Sequence, residues 1–531
     1  MHDEYTYLFS SFLDVPERFF HGYCFAGPDL IVGEAGHAAY VAARGEPVGF
    51  FEDGAYVSLS RSGDAISLGA DFKGYKKILY YSRGEVWAVS NSIPQMVRHL
   101  RAHGVMLRAD PAQVESWTVP STLTRQMTSF ATAVEGVRLL PSACHLEIAG
   151  GELHVRARAP APRLDYEEAL RIYLERWVGR TATLLMDEET TVSADLTGGR
   201  DSRTVLSFYL AARQYFGAGL RRPLHLRSGT QERVAADLAV AKRLAQTYRL
   251  DLNLAPARQP TEPTSNAQAY RGWHDLCSGV YGPIYLPSRQ ASSTFVSLGG
   301  GGGESHRPFY KVPSLDALLE RQRRHFVHPD RFEPFAEEVR AAMATLEAVE
   351  GEGVDPLIRH YREFSDRMHA GREPQYAVKV LPLAGKDLYA CAAACEPQLL
   401  QADQILYDIM QSLAPGLMIH PYENDGRQPS ETNLARLAGP LALEPQAGSV
   451  FRGAERAARP EDPFAGGTAF QMLEESLVRA APSIPEDLLS ARYVSEAIEA
   501  VRAAQREGKL AHASLGRATH ICLLAAMLSD G

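Results

Sequence analysis

Seven consecutive residues, Thr197-Gly198-Gly199-Arg200-Asp201-Ser202-Arg203, stand between the strand-like run Val192–Leu196 and the helix-like run Thr204–Leu210. Glycines let a backbone curl tightly and approach a ligand with no Cβ in the way. A turn that passes straight into a helix N-terminus gathers backbone N–H groups on one spot, and that spot binds anions, most often phosphate. Thr197 and Ser202 add hydroxyl donors. Arg200 or Arg203 would neutralise phosphate oxygens, and Asp201 would hold the magnesium that accompanies a nucleotide. The chain holds neither GxxxxGK[ST] nor GxGxxG, so neither kinase-like γ-phosphate chemistry nor dinucleotide binding is predicted.

Placing such a turn requires a strand behind it and a helix ahead of it. Alternation of apolar runs predicts strands over 191–196, 223–227, 250–254 and 293–298, with helices between the first three. That pattern predicts a parallel sheet whose ligand lies beyond the carboxyl ends of its strands, where the Thr197–Arg203 turn falls. Helical spacing also runs through YEEALRIYLERWVGRTATLLM and, beyond about residue 314, through LDALLERQRRHF, FEPFAEEVRAAMATLEAVE and ARYVSEAIEAVRAAQREG.

Residues 1 to about 156 have a different texture. LIVGEAGHAAYVAARG, AYVSLSRSGDAISLGAD, KILYYSRGEVWAVSNS and SACHLEIAGGELHVRAR read as short strands, with Gly150-Gly151 as a hairpin turn. The Pro- and Arg-rich segment Arg156–Asp165 reads as a linker. The chain therefore divides into a strand-rich unit, 1–158, and an α/β unit, 165–531.

Composition removes several classes of function. A chain of 531 residues exceeds one ordinary core, in keeping with two units. With 64 acidic against 55 basic residues it lacks the electrostatic footprint of a nucleic-acid binder. No apolar run is long enough for a membrane span, and the acidic N-terminal segment has no leader-like pattern, so a cytoplasmic protein is predicted. The six cysteines are scattered with no CxxC pair, which excludes a zinc ribbon and a disulfide framework. Cys391 and Cys395 read as buried thiols on a helix.

The [ST]GGxDS pattern after a strand resembles the PP-loop of the ATP pyrophosphatases. The surrounding chain resembles the synthetase domain of asparagine synthetase B, β-lactam synthetase and the lasso peptide cyclases. Three further segments carry the resemblance. HLRSGTQERVAADLAVAKRLAQTYRLDLNL is similar to the family's second strand and following helix, with Arg227 at the strand end and Asp237 in the helix. FVSLGGGGGESHRPFY is similar to the fourth strand and its LSGxGxDE turn, with Gly299, Gly300 and Gly301 in the turn and Glu304 where an aspartate usually ligates magnesium. ISLGADFKGYKKILYY and GVRLLPSACHLEI resemble segments of the family's glutaminase-like N-terminal domain.

The resemblance implies an α/β protein with an Ntn-type αββα domain followed by a PP-loop domain with a parallel sheet and extra helices. It implies an ATP- and Mg2+-dependent ligase that adenylates a carboxylate, releases pyrophosphate and lets an amine attack to form an amide. Leu196, Thr197, Gly198, Gly199, Arg200, Asp201, Ser202, Arg203, Arg227, Asp237 and Gly299–Gly301 would bind the nucleotide, and Asp201 and Glu304 the metal. Because the chain begins Met1-His2-Asp3, without the family's N-terminal cysteine, no glutaminase is expected and the amine comes from the substrate itself. Gly301 stands where relatives carry a glutamate or tyrosine, and the family's late lysine has no direct match. Lys379, Lys386 and Arg427 are the candidate catalytic cations in that region. His306 and Arg307 are either pyrophosphate contacts or a surface pair. The expected substrate is a peptide or small molecule carrying carboxylate and amine, with ring closure to a lactam or lasso-type macrolactam in natural-product biosynthesis and precursor-processing proteins as partners. An intermolecular ligase, a silent scaffold of the same fold and a transfer-RNA-modifying PP-loop enzyme are the alternatives, the last disfavoured by the acidic balance and the lack of paired cysteines.

Overall fold

The computed structural model describes residues 5–120, 123, 125–160, 162–256, 261–283, 285–351, 353–454, 459–507 and 516–528. Met1, His2 and Asp3, on which the expectation of no glutaminase rests, lie outside them, as does Ala161 of the linker.

In the second half, four strands form a wholly parallel sheet in the order Leu224–Arg227, Thr191–Asp195, Phe295–Leu298, Val378–Val380. The predicted strand at 250–254 contributes a single parallel bridge, Leu252 to Leu226. Asp195 pairs with Arg227, and Ala194 with Leu298, which pairs with Val380. The strands thus end level, and the turns that follow them emerge at one edge. Val192, Ala194, Val296 and Val378 are buried among Tyr173, Trp177, Phe208, Leu388 and Met410 of the covering helices, as a sheet with helices on both faces requires. The helix Tyr166–Met186 starts where Asp165 caps the backbone N–H of Glu168.

The first half stacks two sheets whose pairs are antiparallel except the last of the larger one. The smaller runs Leu8–Ser10, Val86–Ser90, Leu79–Arg83, Val137–Leu139. The larger runs Glu152–Ala157, Cys144–Ala149, Ala65–Ala70, Asp53–Ser62, Arg18–Ala26, Asp29–Val32 and ends in Val450–Arg452. Tyr7, Phe9, Phe19, Leu59, Leu68, Val89 and Leu146 fill the space between them. The helix Gly33–Arg44 covers the outer face of the larger sheet through Tyr40, and the helix Ile93–Ala102 covers the smaller. Gly150 and Gly151, with φ of 60° and 84°, make the predicted hairpin turn.

One expectation needs correction. LIVGEAGHAAYVAARG is a strand only to Val32; the alanine-rich remainder is helix, with Glu34 in its first turn, Arg44 in its last and Gly45 in the left-handed region that ends it. Packing crosses between 1–158 and 165–531. Val450–Arg452 pairs in parallel with Asp29–Val32, and the helices Gly466–Ala480, Ala491–Glu507 and Arg517–Leu528 pack onto the layer that covers the smaller sheet. A buried ion pair, Arg180 to Asp53 at 2.6 Å, joins the halves elsewhere.

Candidate functional site

The turn after Thr191–Asp195 is organised by its own hydroxyls. Thr197 N donates to Ser202 Oγ at 3.1 Å, Gly199 N to Thr197 Oγ1 at 3.2 Å, and Leu196 N to Arg227 O at 2.7 Å. Gly198 N donates to Asp237 Oδ1 at 2.8 Å, so the aspartate expected in the nucleotide site braces the turn from the neighbouring helix. The helix Arg200–Phe216 begins at Gly199, which has no side chain to cap it. Its first-turn N–H groups therefore lack the side-chain acceptor that most helices provide, the condition for an anion site.

Gly198 is closely approached at the root of a side chain, Gly199 only by the tip of a flexible one. A Cβ on Gly198 would lie 2.5 Å from the Glu423 Cβ, and one on Gly199 would lie 2.7 Å from Arg427 Nη1. Arg427 is paired with Glu423 at 2.8 Å, and together they lie over the turn. Of the three candidate catalytic cations, Arg427 alone is shown against the Thr197–Arg203 turn. Lys386 reaches away to Glu52 at 2.6 Å, while its backbone N–H bonds Asp53. Lys379 Nζ donates to Ala370 O at 3.2 Å and lines a cavity of about 180 Å3 between the halves, with Tyr23, Tyr75, Glu373 and Gln375. Burial, with Arg372 nearby, pushes its ammonium down to about 8.

The turn after Phe295–Leu298 closes against the first. Gly300 lies over the Asp201–Ser202 backbone, Gly303 lies on Asp201 Oδ1, and Gly302, with φ of 99°, has the Ala384 backbone 2.6 Å from where a Cβ would stand. Gly299 N donates to Val380 O at 2.9 Å. Gly301 differs, since a side chain there would make only ordinary contact with Leu381.

Asp201 and Glu304 both approach Arg307 here. Asp201 Oδ1 is enclosed and has no hydrogen-bond partner. Burial, then the charge of Glu304, pushes its carboxyl up to about 6, against the opposing pull of Arg307. A desolvated carboxylate with an unmet oxygen beside a second carboxylate is a cation-seeking arrangement, so the residues fit a divalent ion. Among the described residues no group of three or more His, Cys, Asp or Glu side chains stands together so that it could hold a metal ion by itself. Asp201 and Glu304 would share magnesium with phosphate oxygens, the usual habit of that ion.

Arg307 Nη2 lies 3.8 Å from Asp201 and 3.5 Å from Glu304, while its Nη1 pairs with Asp403. Arg200 joins the same carboxylate at 2.7 Å and Tyr407 Oη at 3.1 Å. Arg227 makes a loose pair with Asp195 at 3.6 Å at the sheet edge. Arg203 serves a different purpose. It is fully buried, donates to the carbonyls of Leu417, His420 and Pro421, and lies 3.6 Å from the Tyr422 ring centroid. It anchors the segment that carries Glu423 and Arg427. The surface-pair reading of His306-Arg307 is overturned, because His306 is buried against Tyr389 and Arg307 is held by three carboxylates.

Sequence reasoning misses Asp403 and Glu423. No motif marks either; each arrives from over 200 residues away by tertiary approach. Asp403 does sit at φ 60°, a conformation in which Asp and Asn are enriched.

No family model matches the chain, and no curated protein matches it. Among solved structures, glutamine phosphoribosylpyrophosphate amidotransferase from B. subtilis, complexed with ADP and GMP, is similar at 10% identity over 60% of this chain and 72% of that one, with a TM-score of 0.15.

Proposed function

We propose that the protein is an ATP- and magnesium-dependent ligase that adenylates a substrate carboxylate and joins it to an amine of the substrate, most simply by closing a ring. In this reading the first half is a glutaminase-like domain whose role is structural, and the second is the synthetase. The observation that carries the proposal is the meeting of two glycine turns at one sheet edge, where an uncapped helix N-terminus stands beside the orphaned oxygen of Asp201.

Magnesium, when bound, would draw phosphate charge onto the metal. Asp201 and Glu304 would hold it. The first-turn N–H groups of Arg200–Phe216 and the Ser202 hydroxyl would receive phosphate oxygens, and Arg427 would stand over them. Arg307, beside Asp201 and Glu304, would supply a further guanidinium. Preorganised donors of this kind stabilise charge that grows in the transition state, and fixing the amine against the activated carboxyl supplies the rest. A catalytically silent scaffold is the second reading, favoured by Arg307 already sitting between Asp201 and Glu304.

Calorimetric titration of magnesium-ATP into the wild type and Asp201→Ala tests the nucleotide site without any substrate. Magnesium-dependent binding that is lost in the variant supports the ligase. Absence of binding in the wild type favours the scaffold. Pyrophosphate release with candidate carboxylates then tests the chemistry.

A further inference from the structure

Around the Phe72–Tyr389 ring pair lie two arginines that, among the described residues, have no acid to pair with. Arg158, at the end of the larger sheet, lies with its guanidinium carbon 4.6 Å from the Phe72 ring centroid and 5.4 Å from that of Phe51. Its Nη1 is enclosed and makes no hydrogen bond. Arg362 lies 4.7 Å from the Tyr389 ring centroid and gives only its Nε to Ser305 O, at 2.6 Å, one residue from Glu304. Among the described residues neither guanidinium has a carboxylate within ion-pair distance.

The acids nearby are already taken. Glu350 pairs with Arg359 at 3.4 Å, Glu363 bonds Arg367 and both the N–H and the hydroxyl of Ser142, and Asp366 pairs with Lys73 at 3.0 Å. Lys73 also donates to the Tyr389 hydroxyl, which keeps that ring in place. A guanidinium stacked on an aromatic ring has its faces satisfied and its edge of N–H donors left for a planar anion, the geometry that suits a carboxylate.

The rings are packed in series: Arg158 lies 4.6 Å from Phe72, Phe72 lies 5.0 Å from Tyr389, and Tyr389 lies 4.9 Å from the buried His306, two residues beyond Glu304.

We propose that Arg158 and Arg362, laid on Phe72 and Tyr389, form a subsite for a second carboxylate of the substrate, one that is not activated, so that the substrate is a molecule with at least two carboxylates. This rests on the ligase reading for its notion of an activated carboxyl, but its recognition chemistry is tested separately.

The probes are the peptide Ac-Glu-Glu-Glu-NH2 and its glutamine counterpart, titrated by saturation-transfer NMR into the full chain and into Arg158→Gln and Arg362→Gln. The wild type should prefer the glutamate peptide at least tenfold, and each variant should lose most of that preference. Arg158→Lys, which keeps the charge but not the planar fork, should fall between and covers the case in which Arg158→Gln does not fold. Equal affinity for the two peptides in the wild type, or a preference that survives in both glutamine variants, overturns the proposal. Magnesium-ATP affinity, measured in parallel, should be the same in wild type and Arg158→Gln. Loss of nucleotide binding in the wild type with the peptide preference intact would refute the ligase reading and leave the subsite standing.

Discussion

Asp201→Asn should make the ligand-free protein more stable and deaf to magnesium-ATP. The folded protein holds this carboxyl up near 6 against an ordinary value of 3.8, about two units, or about 3 kcal/mol against its ionised form at neutral pH. The amide must be desolvated too, which leaves a net gain of about 1–2 kcal/mol. At roughly 2 cal/mol/K of unfolding entropy per residue, that raises Tm by only about 1–2 °C in a chain this long. Ligand at a hundredfold excess over Kd stabilises by about 2.7 kcal/mol, a shift of about 2–3 °C, which the wild type should show and the variant should not.

Differential scanning calorimetry at pH 7.5, with and without magnesium-ATP, reads both effects. The sign with pH is fixed. A carboxyl raised in the folded state costs stability above its folded pKa, and that cost fades as pH falls through about 6 toward the unfolded value near 4. The variant's advantage should therefore shrink between pH 7 and 4.5. Taking the difference from wild type cancels Asp71, another buried carboxyl pushed up to about 6. An Asp201→Asn variant less stable than wild type at pH 7.5 would mean that the carboxylate is held by partners and is not poised for a cation, and the reasoning would fail.

The remaining predictions contrast neighbouring residues. Gly301→Ala should change stability by less than about 1 kcal/mol, whereas Gly302→Ala, at φ 99° with backbone in the way, should cost more than about 2; chemical denaturation compares them. Arg203→Met strands three carbonyls and should lose about 3–5 kcal/mol, a Tm drop of several degrees in the ligand-free protein. Arg427→Ala should weaken magnesium-ATP about tenfold by calorimetry, since it removes one charge-assisted contact over the turn. Lys386→Ala should leave that affinity unchanged and cost under about 1 kcal/mol, because its pair with Glu52 is partly exposed.

What the sequence discloses is local. The Thr197–Ser202 turn is legible because glycines, hydroxyls and the switch from strand to helix all lie within a few residues, and Asp237 because it opens the next helix. The site's counter-charges are not legible. Asp403 and Glu423 carry no neighbouring signal, and Arg203 looks like a phosphate ligand because nothing nearby announces the three carbonyls that claim it. Helix Gly33–Arg44 is misread for a related reason. Its β-prone opening Leu30-Ile31-Val32 belongs to a strand, and the glycines within the following run mask the alanine-rich helical stretch. Val450–Arg452 is three residues long, below what an alternation pattern can reveal.

That short strand bears on how the protein must be made. Ser449 N donates to Asp29 Oδ1 from 420 positions further along the chain, and until Val450–Arg452 leaves the ribosome the outer side of Asp29–Val32, away from Arg18–Ala26, has no strand against it. A nascent or truncated chain would present that row of backbone donors and acceptors to whatever strand comes first. Expression of residues 1–158 alone should accordingly give an aggregating product, because the first half is completed by the last third of its own polypeptide.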